Sequence, residues 1–193
     1  MCAGMHVNPE TDVVSCLILS GQFERLNQMI GMENALCSFY EYPDELHEFF
    51  DAMLEYKLKC IDLAHKYLNP DVIHMHDDWG TNDNMFFSPE LWREYIKPNE
   101  EKITQHIHEL GMLYIHHSCG YIKQIIPDLV EIGVDAIEPM MPQNDLDEDH
   151  FSKIKSDCIP ARQLETIDGR VFACYNINYR KSRKFLPYRW IFV

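Results

Sequence analysis

No apolar run in the 193 residues approaches the roughly 20 needed to cross a bilayer as a helix, which argues against a membrane span. No basic stretch followed by an apolar run opens the chain, so a secretory signal is not expected. The seven cysteines (Cys2, Cys16, Cys37, Cys60, Cys119, Cys158, Cys174) are odd in number and include no C-x-x-C pair. That pattern fits free, mostly buried thiols in a reducing, cytoplasmic setting. Positive charge is also scarce: 17 Lys+Arg stand against 31 Asp+Glu, a net charge of −14. A surface so acidic repels phosphate and argues against nucleic acid.

The chain is 46% hydrophobic, 12% aromatic and 25% charged. These proportions support a packed core and exclude collagen, low-complexity linkers and disordered acidic tails. The length suits one domain of common size but falls short of the roughly 250 residues of a closed eight-unit α/β barrel. Charge divides the chain. Residues 159–193 carry seven basic and two acidic residues, a balance of +5, leaving −19 on the first 158. Arg180, Lys181, Arg183 and Lys184 lie there among Tyr175, Tyr179 and Tyr188. Nucleic-acid contact is one reading of that mixture. A solvated, poorly ordered end is the preferred one, given the acidic body.

Apolar patterning predicts a strand over 13–19 and a helix over 22–39 with an irregularity at Gly31. A long helix follows over 44–68, with Leu46, Phe49, Phe50, Met53, Ile61, Ala64 and Leu68 on one stripe. Pro43 suits its start and Asn69-Pro70 its end. A strand is predicted over 72–76. Ser88-Pro89-Glu90 then opens a helix that bends or restarts at Pro98 and ends before Gly111. Strand 112–116, helix 121–132 and strand 134–137 complete the body. Strands alternating with helices imply an α/β fold with a parallel sheet. Beyond 157 the pattern stops, with weak strand signals near 171–175 and 190–193.

In such folds reactive side chains gather where strands end. Strand 72–76 ends in His76, Asp77 and Asp78; strand 112–116 runs into His116, His117 and Cys119; strand 134–137 ends at Glu138. His117 and Cys119 are separated by one residue, so in extended chain both point one way and could grip one ion. Imidazole with thiolate favours zinc, and Glu138 could add an oxygen. The plain alternative is a core histidine and a buried thiol. Asp77 and Asp78 read either as a substrate anchor or acid–base pair, or as turn and cap residues. His74 and His76 alternate with Met75 and are expected to line one face in a supporting role. His65, His106 and His108 are expected at the surface.

Six stretches, taken together, carry a resemblance: Gly21-Gln22-Phe23-Glu24-Arg25, Gly31-Met32-Glu33-Asn34-Ala35, Asp77-Asp78-Trp79-Gly80, Ser88-Pro89-Glu90-Leu91-Trp92, His117-Ser118-Cys119-Gly120 and Ile132-Gly133-Val134-Asp135. They resemble the uroporphyrinogen decarboxylase-like family over roughly residues 10–157. The resemblance implies a partial (β/α)8 barrel, with residues 158–193 as an atypical basic tail, and a fragment that is truncated or frame-disrupted. The family includes metal-free decarboxylases of a tetrapyrrole and zinc-dependent methyltransferases that draw on a corrinoid carrier. His117 and Cys119 match the H-x-C pair of the methyltransferase branch, and Glu138 is the candidate third ligand. Cys158 and Cys174 do not match the context of the further cysteine that completes that site. Asp77 and Asp78 would orient the acceptor or a corrinoid protein. In a decarboxylase an aspartate at this rim would instead bind pyrrole N–H groups. A barrel segment by itself is expected to have two unpaired sheet edges and a tendency to self-associate.

Overall fold

The computed structural model describes residues 12–139 and the backbone of three later strands. A parallel four-stranded core is built from β1 (Asp12–Ile18), β2 (Val72–His76), β3 (Leu113–His117) and β4 (Ala136–Glu138). The helical segments α1 (Gln22–Ile30), α2 (Met32–Glu41), α3 (Pro43–Leu68), α4 (Pro89–Leu91), α5 (Lys97–Glu109) and α6 (Ile126–Glu131) connect these strands. Three further strands, β5 (Leu164–Ile167), β6 (Arg170–Ala173) and β7 (Arg189–Phe192), extend the sheet to the order β5-β6-β4-β3-β2-β1-β7. The fold is α/β, as expected, and the described strands form an open sheet rather than a closed barrel.

Local chemistry explains the boundaries. Gly31 takes a φ of +82°, which splits the expected helix over 22–39 into α1 and α2. Pro43 occupies the first turn of α3, and Asn69 closes it in the left-handed region at φ +45°. Ser88 caps α4, its hydroxyl accepting from the Leu91 N–H at 3.3 Å. Pro98 cannot donate to the carbonyl one turn back. The chain answers with a wide π-type turn over Trp92–Ile96 before α5 begins. That turn keeps Trp92, Tyr95 and Ile96 buried.

The core sheet has two unlike faces. Cys16, Ile73, Met75, Tyr114 and Ile137 are buried in the main apolar cluster with Phe23, Phe39, Phe50, Phe87 and Trp92 from the helices and loops. The alternate residues Leu17, His74, His76, Ile115 and His117 are part-exposed or exposed. The outer core strands are paired, β7 parallel with β1 and β6 antiparallel with β4, which moves the open edges of the described sheet to β5 and β7. β6 and β7 lie close to the weak strand signals of the tail. Among the described cysteines Cys16 is buried, Cys60 and Cys119 are half-buried and Cys37 is exposed, so burial is less general than expected. No helix among the described residues is long and apolar enough to cross a membrane.

Candidate metal centre

Sheet register brings the site together. His76 pairs with His117 across β2 and β3, and His117 pairs with Glu138 across β3 and β4. Three reactive residues from distant parts of the chain therefore form one row at the carboxyl ends of the strands. His74 lies one same-face step back along β2. Beyond β3, Gly120 adopts φ +85° and an ideal Cβ there would stand 2.3 Å from the Gly80 backbone. The turn that carries Cys119 is thus tucked against the β2 loop in a way only glycine permits.

Two clusters share His117. In the first, the Glu138 carboxylate accepts from His117 Nδ1 in a very short contact and from His74 Nε2 at 3.0 Å. Burial works to raise the Glu138 carboxyl, but the hydrogen bonds from His117 and His74 outweigh it and hold it down at about 2. In the second, Asp78 Oδ1 lies 3.7 Å from His117 Nε2 and 3.8 Å from His76 Nε2. Cys119 Sγ lies 3.3 Å from His117 Nε2. The His76 and His117 rings stack, with centroids 4.3 Å apart and planes 22° from parallel. His76 Nδ1 is 2.7 Å from Glu24 Oε2, and this hydrogen bond raises the His76 pKa. Asp78 Oδ1 also accepts from the Cys119 N–H at 2.6 Å.

Burial pushes the Cys119 thiol up, and the nearby charges of Asp78, Glu138 and Glu24 push it further. A thiolate here therefore needs a cation beside it. The donors fit zinc. A tetrahedral ion with bonds of ~2.0–2.3 Å holds its ligand atoms roughly 3.3–3.8 Å apart. The separations His117–Cys119, His117–Asp78 and His76–Asp78 fall in that range.

Asp77 faces elsewhere. It is 1% exposed and accepts from the N–H groups of Phe23 at 3.1 Å and Glu24 at 2.8 Å, and from Trp79 Nε1 at 2.9 Å. Burial pushes its carboxyl up to about 7, against these donors. Beneath the site, on the helix side of the sheet, Tyr114 donates to Glu100 at 2.8 Å and accepts from His116 Nδ1 at 2.8 Å. The His116 ring stacks on Trp79 at 4.2 Å. Burial, with the charge of His117, lowers the His116 pKa to about 3, so this imidazole stays neutral. Lys57, fully buried, donates to the Leu19 carbonyl at 2.7 Å.

The structure thus brings His117, Cys119, Glu138 and Asp78 into one neighbourhood, and turns Asp77 into the helix side. Cys158 and Cys174 lie outside the described residues. His106 pairs with Asp62 and His108 with Asp135 away from the site, and His65 Nδ1 is buried without a hydrogen-bond partner among the described residues. Sequence reasoning missed Glu24. It stands 52 residues from His76, and its only visible signal was its place in the Gly21–Arg25 stretch.

Comparison with known proteins bears on the fold and the family. A methyltransferase from Methanosarcina mazei shares the fold with a TM-score of 0.57 at 16% identity; the match covers 75% of this chain and 42% of that one. The match thus spans less than half the length of that structure. No curated protein sequence matches it. The model of the uroporphyrinogen decarboxylase (URO-D) family matches residues 10–156, about three-quarters of the chain, and the chain belongs to that family.

Proposed function

We propose that this chain is a zinc-dependent, methyltransferase-type URO-D domain that prepares a thiol or similar acceptor to take a methyl group from a corrinoid carrier. The observation that carries the reading is the His117–Cys119 pair at the end of β3, with its donor atoms 3.3 Å apart and acids around it. Zinc held there would supply Lewis-acid character that lowers the pKa of an acceptor thiol. The protein's own groups do the rest. His117 and Cys119 supply nitrogen and sulfur donors. Glu138 fixes the His117 ring through Nδ1, leaving the Nε2 lone pair free. Asp78 anchors the Cys119 backbone and so sets the direction of its sulfur. The row of donors lies on the part-exposed face of the sheet, which leaves an approach for acceptor and carrier. Asp77, fully engaged with α1 and Trp79, acts by positioning.

The test is methyl transfer from methylcobalamin to a small thiol by the full chain. The expected result is a zinc-dependent rate above the uncatalysed one, lost in His117→Ala and Cys119→Ala. Metal-free conversion of uroporphyrinogen to coproporphyrinogen by the same protein would contradict the proposal, as would an unchanged rate in both variants.

A further inference from the structure

We infer that Gln22, Asn99 and Glu100, buried on the helix side of the sheet, are positioning residues. They hold the first turn of α1 so that Glu24 meets His76 and His76 stands against His117. The effect on rate rests on the function proposed above; the hydrogen-bonded clamp does not.

The signal in the sequence is polarity in the wrong place. Trp92, Ile96, Ile103 and Ile107 form the buried stripe of α5 and the turn before it, and Asn99 and Glu100 fall on that stripe. They are 4% and 2% exposed, and Gln22, the first residue of α1, is 1% exposed. Polar groups buried this deeply stabilise a fold no better than apolar groups of the same shape. What hydrogen bonds add is a fixed distance and angle.

The clamp joins three helices and the sheet. Asn99 Nδ2 donates to Gln22 Oε1 at 2.9 Å and to the Phe50 carbonyl of α3 at 3.1 Å. Gln22 Nε2 donates to Glu100 Oε1 at 3.4 Å, and Glu100 Oε2 accepts from Tyr114 of β3 at 2.8 Å. Two residues beyond Gln22, the Glu24 amide is held by Asp77. The first amides of a helix point along its axis, so a cap acts in that direction. The Gln22 side chain leaves the helix sideways and sets its rotation. That rotation decides where the Glu24 carboxylate stands, 2.7 Å from His76 Nδ1. A carboxylate only accepts, so Glu24 places the proton of a neutral His76 on Nδ1. The His76 ring in turn stacks on the His117 ring, whose Nε2 lies 3.3 Å from Cys119 Sγ. A turn of α1 therefore reaches the site through Glu24 and His76.

The test reads the His76 tautomer by ring-nitrogen NMR of the full chain at pH about 9, where imidazoles are neutral. Wild type should hold the proton on Nδ1. Gln22→Leu should give a mixture of tautomers, as should Glu24→Ala. The double variant Gln22→Leu with Asn99→Leu should do the same; it removes both partners of the bond, so neither is left orphaned and the chain folds. Ile61→Val, a core change that costs stability without touching the clamp, should keep the wild-type tautomer. An unchanged tautomer in Gln22→Leu and in the double variant overturns the inference, and so does a mixture in Ile61→Val, which would mean general loosening. In methyl transfer from methylcobalamin to a small thiol, the double variant should lose about 10-fold or more in kcat, as residues behind a site do. An unchanged kcat beside an altered tautomer overturns the link to the rate. No transfer by wild type overturns the proposed function, and the tautomer still decides the clamp.

Discussion

An ideal Cβ on Gly21 would stand 2.0 Å from the Asp77 Cβ, so this glycine makes room for a carboxylate. Gly21→Ala should cost about 1–3 kcal/mol of stability, the usual range for forced overpacking, measured by urea unfolding. A second residue, Asp128, ties α6 to the turn before α5. It accepts from Arg93 Nε and from Lys97 Nζ, the latter at 2.7 Å. Burial works to raise its carboxyl, but those hydrogen bonds outweigh it and lower the pKa from 3.8. Because the folded value lies below the unfolded one, the stability it contributes is present above the unfolded pKa. It is lost as pH falls through the folded value. Asp128→Asn should cost about 1–2 kcal/mol near neutrality, limited by the part-exposed Arg93, and the gap to wild type should narrow as pH falls below about 4. A gap that does not narrow at all over that acid range would contradict this. At this scale the sequence showed His117 and Cys119 through their spacing. It could not show that His76 meets Glu24, because that contact depends on where α1 begins relative to β2.

The start of α1 shows how an element borrows what it lacks. Its N-cap residue, Gly21, has no side chain to cap the helix, and the amides of Phe23 and Glu24 turn to Asp77 instead. Asp77→Ala should leave those donors and Trp79 Nε1 unpaired. The expected loss is about 1–3 kcal/mol, with faster amide exchange confined to the first turn of α1 and the loop around Trp79. Exchange that speeds up evenly across the sheet would argue against a capping role. Helix α3 and strands β2 and β3 were legible in the sequence because their apolar periods are long and unbroken. The turn over Trp92–Ile96 was not. Pro98 announces a missing hydrogen bond, but whether the chain kinks or widens is decided by burying Trp92 and Tyr95. The expected helix over 121–132 shortened for a similar reason. Tyr121 donates its N–H to the Thr81 carbonyl at 2.7 Å, which holds the segment to the β2 loop rather than to a helical turn.

For the whole molecule, the four parallel strands and the site at their carboxyl ends follow from helix–strand alternation, and the family match covers that same region. The pairing of β6 and β7 with the two outer core strands was out of reach, since sheet order in a short tail depends on which edges remain open. Deleting residues 189–193 should bare the β1 edge and drive concentration-dependent self-association, visible by light scattering. A monomer that stays monodisperse would show that β7 does not protect that edge. The proposed function depends on a metal centre at the end of β3. The most direct check is the zinc content of the purified full chain, measured beside folded His117→Ala and Cys119→Ala. One zinc per chain in the wild type and none in the variants is predicted; a wild type without zinc, or variants that retain it, would contradict the account.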